Sequence, residues 1–224
     1  MIRAIHTETF RLPPVNPAEV FRYAGVRTAV PELEPMLEEV LAEMTPQLNG
    51  KICWLELPIA RKEGILDLGF TQTDSSSLAR NLEGCDRIVV FGATIGLAPD
   101  RLIARYGHLS PAKALMFQAA GTERIEALCD VFCDKLCREA AARDLSLRPR
   151  FSPGYGDLPL ALQKDIFRVL DCARMIGLTL NESLLMSPSK SVTAIVGLGP
   201  GAPGMHRRDC CQCQKTDCIY RRIP

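Results

Sequence analysis

A chain of 224 residues, 47% hydrophobic and 24% charged, is long enough to bury a substantial core. Its net charge of +1 excludes a nucleic-acid protein that relies on a broad basic surface, and no apolar run is long enough to cross a bilayer. The opening stretch MIRAIHTETFRLPPVNPAEV lacks the apolar core of a secretory signal, so the expected location is cytoplasmic and most of the ten cysteines are expected as reduced thiols.

In chain order, NPAEVFRYAGV and PELEPMLEEVLAEMTPQL read as two amphipathic helices, each opened near a proline. KICWLELPIA alternates apolar and polar residues as a strand does, and GILDLGF reads as a second strand. TDSSSLARNLEGCD offers hydroxyl and carboxylate N-caps to a short helix that closes near Gly84. RIVVFGATIG is a continuous apolar run bounded by Asp86 and by glycines, the pattern of a buried strand.

From Pro99 to about Ala142 the pattern is helical, with a break near Ser110-Pro111. Cys129, Cys133 and Cys137 recur at every fourth position there, on one helix face. Three thiols spread over two turns suit a core stripe of small, polarizable residues better than a metal site. LALQKDIFRVLDCARMIG reads as one helix ended by Gly177, with Leu162, Ile166, Leu170 and Cys172 near one face. LTLNESLLMSPSKSVTAIVGLG then reads as two strands around a polar turn at Ser187 to Lys190. Helices and strands do not alternate regularly and no internal repeat is visible, which favours an α+β domain over a doubly wound one. Residues 1–204 are expected to form that domain, and residues 205–224 a basic, cysteine-rich tail.

Between the last two helical stretches lies RFSPGYGDLP, residues 150–159. Arg150 can clamp a carboxylate or phosphate with two parallel hydrogen bonds. Pro153-Gly154 makes a tight turn in which glycine lets a ligand approach the backbone amides. Tyr155 supplies a ring and one hydroxyl. The plain alternative is a Gly/Pro-rich connector with an aromatic plug.

Together with LQKDIFRVLDCARMIG and LTLNESLLMSPSKSV, this stretch resembles the activation domain of cobalamin-dependent methionine synthase. In that family an R-x-x-P-G-Y loop precedes a proline and a helix, and L-T-E-S-x-x-M-x-P-x-x-S-V comes after the helix. The matches are Arg150, Pro153, Gly154, Tyr155, Pro159, Lys164, Gly177, Leu180, Glu182, Ser183, Met186, Pro188, Ser191 and Val192. The preceding helix, ALCDVFCDKL, is similar in kind, with Asp130 where a glutamate is usual; FRYAGVR and NLEGCDRIVVFGATIG resemble the N-terminal part of stand-alone versions.

The resemblance implies a mixed or antiparallel twisted sheet with flanking helices, and S-adenosylmethionine as ligand. Arg150 would hold the methionyl carboxylate, with Pro153, Gly154 and Tyr155 lining the donor. It also implies a stand-alone reactivation protein supporting reductive methylation of inactive cob(II)alamin. The cobalamin would be carried by a separate corrinoid methyltransferase, a methionine synthase without its own activation domain, and the electron would come from a donor protein. Neither nucleic acid nor membrane is an expected partner. The positioning of a methyl donor needs no acid or base. His6, His108 and His206 are scattered, and no catalytic residue is assigned. The chain departs from the family pattern at Leu160 and Ala161, where an acidic residue and a histidine are usual, and at Ile195 and Val196, where aromatic residues are common.

The tail sequence DCCQCQKTDCIYR sets Cys210, Cys211, Cys213 and Cys218 within nine residues. Thiolates this close can fill the sphere of a zinc ion or hold an iron–sulfur cluster, with His206 as a substitute ligand. Redox-active free thiols and a bare tail are the other readings. Lys215, Arg207, Arg208, Arg221 and Arg222 make it locally basic, which suits docking on an acidic electron donor. Two other functions fit the same residues: a non-catalytic corrinoid-protein chaperone or sensor, and a redox protein centred on the tail.

Overall fold

The computed structural model describes residues 4–26 and 31–201. Its first element is a strand that the opening residues do not announce, β1 (His6–Phe10). Asn16 caps α1 (Pro17–Tyr23) by accepting from the amides of Ala18 and Glu19 at 3.1 and 3.4 Å. α2 (Glu34–Met44) leads into β2 (Gly50–Pro58), and then into a small hairpin sheet made of β3 (Ala60–Lys62), β4 (Ile65–Asp67) and β5 (Gln72–Thr73). α3 (Ser76–Asn81), capped by Ser75, connects it to the buried strand β6 (Arg87–Thr94). α4 (Ala98–Leu109) and α5 (Pro111–Ala141) meet at Ser110-Pro111, where proline ends one helix and starts the next.

The chain then forms β7 (Ser146–Leu147), α6 (Gln163–Leu170), α7 (Cys172–Ile176), β8 (Thr179–Leu180), β9 (Met186–Ser187) and β10 (Ser191–Gly199). The main sheet has the order β1-β2-β6-β10-β7 and is antiparallel at every pairing. The α+β fold with helices flanking an antiparallel sheet is thus as expected.

Strand periodicity divides the core between the two faces. Cys53, Leu55 and Leu57 of β2 and Ile88 and Val90 of β6 face α3, α6 and α7. Ile52, Val89, Phe91 and Ala93 face α5, together with Ala194, Val196 and Leu198 of β10. On α5 the residues Ile125, Leu128, Cys129, Phe132, Cys133, Leu136 and Ala140 form the matching stripe, so Cys129 and Cys133 are core thiols. Phe132 is its centre, with ring centroids 5.0 Å from Phe91, 5.1 Å from Trp54 and 6.0 Å from Phe10. A third cluster joins α1, α2 and α4 to the first half of α5 through Val20, Val40, Met44, Leu102 and Phe117.

A buried ion pair ties the N-terminal segment to α5. Arg124, 2% exposed, donates to the carbonyls of Pro13 and Pro14 at 2.5 and 3.2 Å and to the carboxylate of its neighbour Glu123. Glu123 in turn accepts the Asn16 amide at 3.1 Å. Every polar group this pair brings inside has a partner, which is what keeps its burial from being costly.

Two expected elements differ. The helix read through LALQKDIFRVLDCARMIG is broken at Asp171, whose backbone is left-handed (φ 46°, ψ 48°) and whose carboxylate accepts from Arg174 Nε at 2.5 Å. Aspartate is among the few side chains that tolerate this conformation. The strands read around Ser187 to Lys190 also separate: β8 pairs with β9 across a turn closed at Asn181 and Leu185, and β10 alone enters the main sheet. Apolar runs this short do not reveal which strand pairs with which.

Candidate functional site

The candidate loop grows out of a sheet edge. After β7 the chain keeps running along β10: the Arg148 amide donates to Gly197 O at 2.9 Å, and Phe151 and Ile195 exchange both amide–carbonyl bonds at 2.9 and 2.8 Å. Pro149 sits within this stretch, as proline can only at an edge. Strand alternation then sends neighbouring side chains to opposite faces. Phe151 packs against the α6–α7 side of the core, and Arg150 turns to α5.

Ser152-Pro153-Gly154-Tyr155 closes with the Tyr155 amide donating to Ser152 O at 3.1 Å, and Gly154 has φ +90°. Proline followed by a positive-φ glycine is the order a type II turn requires. In a second turn the Leu158 amide donates to Tyr155 O at 3.0 Å and the Gly154 amide to Leu158 O at 2.9 Å. Pro153 and Leu158 are buried, whereas Tyr155 is 45% exposed and Leu160 is 44% exposed. The Tyr155 ring makes an edge contact with Phe151, centroids 6.1 Å apart.

The loop is also held from α3. The Asp157 carboxylate accepts from Ser75 Oγ at 2.5 Å, Ser76 N at 2.9 Å, Ser76 Oγ at 2.7 Å and Ser77 N at 3.1 Å. The hydroxyls of Ser75 and Ser76, with the Ser77 amide behind them, hold this carboxyl well below the usual carboxylate range.

Arg150 meets two carboxylates one helical turn apart on α5. Its Nη2 lies 3.0 Å from Glu126 Oε2 and its Nη1 lies 2.8 Å from Asp130 Oδ1. The Cys133 thiol stands 3.9 Å from Nη1. Burial pushes the Cys133 thiol up to about 11 and the Cys129 thiol well above its ordinary value, so both are neutral at pH 7 and neither is an activated nucleophile.

Other expected positions do different work. Gly177 ends α7 in the left-handed conformation (φ 71°), and Ser191 Oγ donates to Pro188 O at 2.8 Å, so these matches to the family pattern serve the fold. Ile195 and Val196 are both 0% exposed and face opposite cores, which removes them from any surface that could touch a ligand. His6 stacks on Trp54 at 5.3 Å beside an open cleft of about 440 Å³ that also contains Lys135 and Glu139. A smaller cleft of about 220 Å³ is lined by Cys137, Ser146 and Gly201. Neither cleft includes Arg150, Pro153, Gly154 or Tyr155. Among the described residues no group of three or more His, Cys, Asp or Glu side chains could hold a metal ion. Cys210, Cys211, Cys213, Cys218 and His206 lie outside the described residues.

Sequence reading missed Glu126, Asp157 and the serines. The i, i+4 spacing of Glu126 and Asp130 is a visible signal, but only the edge pairing of residues 146–151 aims Arg150 at them. Asp157 and Ser75 are joined across 82 positions of sequence, a separation that no local pattern bridges.

No family model matches the chain, and no curated protein matches it. Thirteen solved chains do. One is the MetH reactivation domain bound to AdoHcy, at 17% identity and a TM-score of 0.64, over 89% of this chain and 80% of that one. With its antiparallel curled sheet between helical layers, the chain has the fold of the MetH reactivation domain.

Proposed function

We propose that the chain binds S-adenosylmethionine on the RFSPGY loop and supports reductive methylation of cob(II)alamin carried by a separate corrinoid methyltransferase. The observation that carries this reading is the fold shared with a domain solved with S-adenosylhomocysteine, the demethylated form of the same donor. The local chemistry agrees with it. The donor has a sulfonium, an ammonium and a carboxylate, and is net positive; Arg150 stands in contact with two carboxylates. Arg150 is the group to take the methionyl carboxylate, and Glu126 and Asp130 are the groups to balance the donor's positive charges. Tyr155 supplies an exposed ring on the same loop.

The donor's chemistry is transfer of its methyl group. The sulfonium–methyl bond breaks, S-adenosylhomocysteine leaves, and the methyl goes to cobalt once cob(II)alamin has gained one electron from a donor protein. The chain's own residues would bind and orient; no proton moves. A site built for orientation fits a loop fixed by two turns and a buried leucine.

Calorimetric titration with S-adenosylmethionine, on the wild-type chain and on Arg150→Ala, tests the reading. A charged hydrogen-bonded contact contributes about 1.5–3 kcal/mol, so the variant should bind roughly ten- to a hundred-fold more weakly. Equal affinity of the two proteins would rule out the assigned site. The ion pairing of Arg150 with Glu126 and Asp130 favours a second reading, a corrinoid-protein chaperone or sensor that leaves the arginine engaged. It expects a corrinoid methyltransferase to be bound while S-adenosylmethionine is not. An iron–sulfur cluster in the tail would supply an electron route of its own, whereas zinc, which has no redox chemistry, would only hold the tail together. Metal analysis before and after removal of residues 205–224 decides that point.

A further inference from the structure

We propose that Asp157 is a positioning residue for the donor loop, clamping it to the N-terminus of α3 so that Tyr155 and the turn amides are already in place when S-adenosylmethionine arrives. This rests on the donor reading above and adds to it a residue outside the R-x-x-P-G-Y pattern.

Four features carry it. Asp157 lies two positions after Tyr155, and its carboxylate is occupied by Ser75, Ser76 and Ser77 rather than left for a ligand. α3 already has its own cap, because Ser75 Oγ accepts the Leu78 amide at 3.1 Å. Asp157 adds a bond across the molecule from the amides that the cap leaves over. Gly156 (φ +54°) presses its backbone so closely on Ser77 that a Cβ there would lie 2.7 Å from the Ser77 hydroxyl and 2.8 Å from its Cβ. Finally, the buried Pro153 and Leu158 fix the loop on either side of Tyr155. An exposed aromatic ring between fixed points has lost its backbone freedom at folding, not at binding, and that spares affinity.

The test is S-adenosylmethionine titration of wild type, Asp157→Ala, Asp157→Asn and Ser76→Ala, with amide hydrogen exchange measured at Gly154 and Leu158. Asparagine keeps one acceptor oxygen, enough for Ser75 Oγ and the Ser77 amide, but turns its own N–H groups toward the Ser76 amide, so it should hold the loop in part. Asp157→Ala is expected to bind about tenfold more weakly and to exchange faster at both amides. Asp157→Asn should stay within about threefold of wild type, and Ser76→Ala should fall between the two. A merely structural aspartate would lower the melting temperature without this order in affinity. Wild-type affinity in Asp157→Ala, or equal loss in the alanine and asparagine variants, would overturn the proposal. A wild-type chain that binds no S-adenosylmethionine overturns the donor reading and this one together. Binding that is lost on Arg150→Ala but kept on Asp157→Ala overturns this one alone.

Discussion

Arg150 and Lys190 are two cations set against the same long helix, and they are held in opposite ways. Arg150 has two carboxylates in contact. Lys190 is 6% exposed and its ammonium donates to the Thr122 hydroxyl at 3.1 Å, while its stem lies against Gly121, where a Cβ would come within 3.1 Å of it. Burial lowers the Lys190 pKa, opposed by the charge of Asp100. The unfolded chain therefore binds the extra proton more readily, and the charge opposes folding at neutral pH; this cost fades as pH rises toward the ordinary lysine value. Lys190→Met should accordingly melt a few degrees higher than wild type at pH 7, with the gap narrowing in alkaline buffer. A lower melting temperature at pH 7 would mean that the lysine is stabilising where it stands. Asp157 titrates in the other sense. Its depressed carboxyl contributes stability that is present above the ordinary carboxylate value and is lost only in strong acid, so the loop should keep its amide protection from pH 8 to pH 5.

Among the elements, α5 contributes to two of the three apolar clusters, and Phe132 is its most connected ring. Its truncation to alanine should cost about 3–5 kcal/mol in chemical denaturation, because Phe91, Trp54 and Phe10 close around it and cannot collapse into the space. A loss below about 1 kcal/mol would show a looser core than the ring contacts describe. Elements with strong periodicity could be read from the chain alone. β2, β6, α1, α2 and the α4–α5 break fall where alternation, apolar runs and prolines place them. What escaped is short or non-local. β1 has a weak exposed pattern, and β7 is two residues whose continuation exists only because β10 pairs with it. The left-handed break at Asp171 carries no signal beyond the residue type. The turn chemistry of Pro153-Gly154 was legible, because φ of proline and the freedom of glycine are local properties. The partners of Arg150 and Asp157 were not, since they come from α5 and α3.

On the scale of the whole molecule, the loop stands where both helical layers reach the same sheet edge. α5, from one face, supplies Glu126 and Asp130 beside Arg150; α3, from the other, supplies the serines that hold Asp157. A ligand bound there would be coupled to both cores, and binding should appear as global stabilisation. S-adenosylmethionine at a hundred times its dissociation constant adds about 2.7 kcal/mol, which is roughly 5–10 °C in melting temperature for a chain of this length. Arg150→Ala should show no such rise at the same donor concentration. The most direct measurement is NMR mapping of S-adenosylmethionine on the isotope-labelled chain. Shifts concentrated at 150–158 and at Glu126 and Asp130 are the expected result. Shifts centred instead on the cleft beside Trp54 and Lys135, or none at saturating donor, would contradict the placement of the donor on this loop.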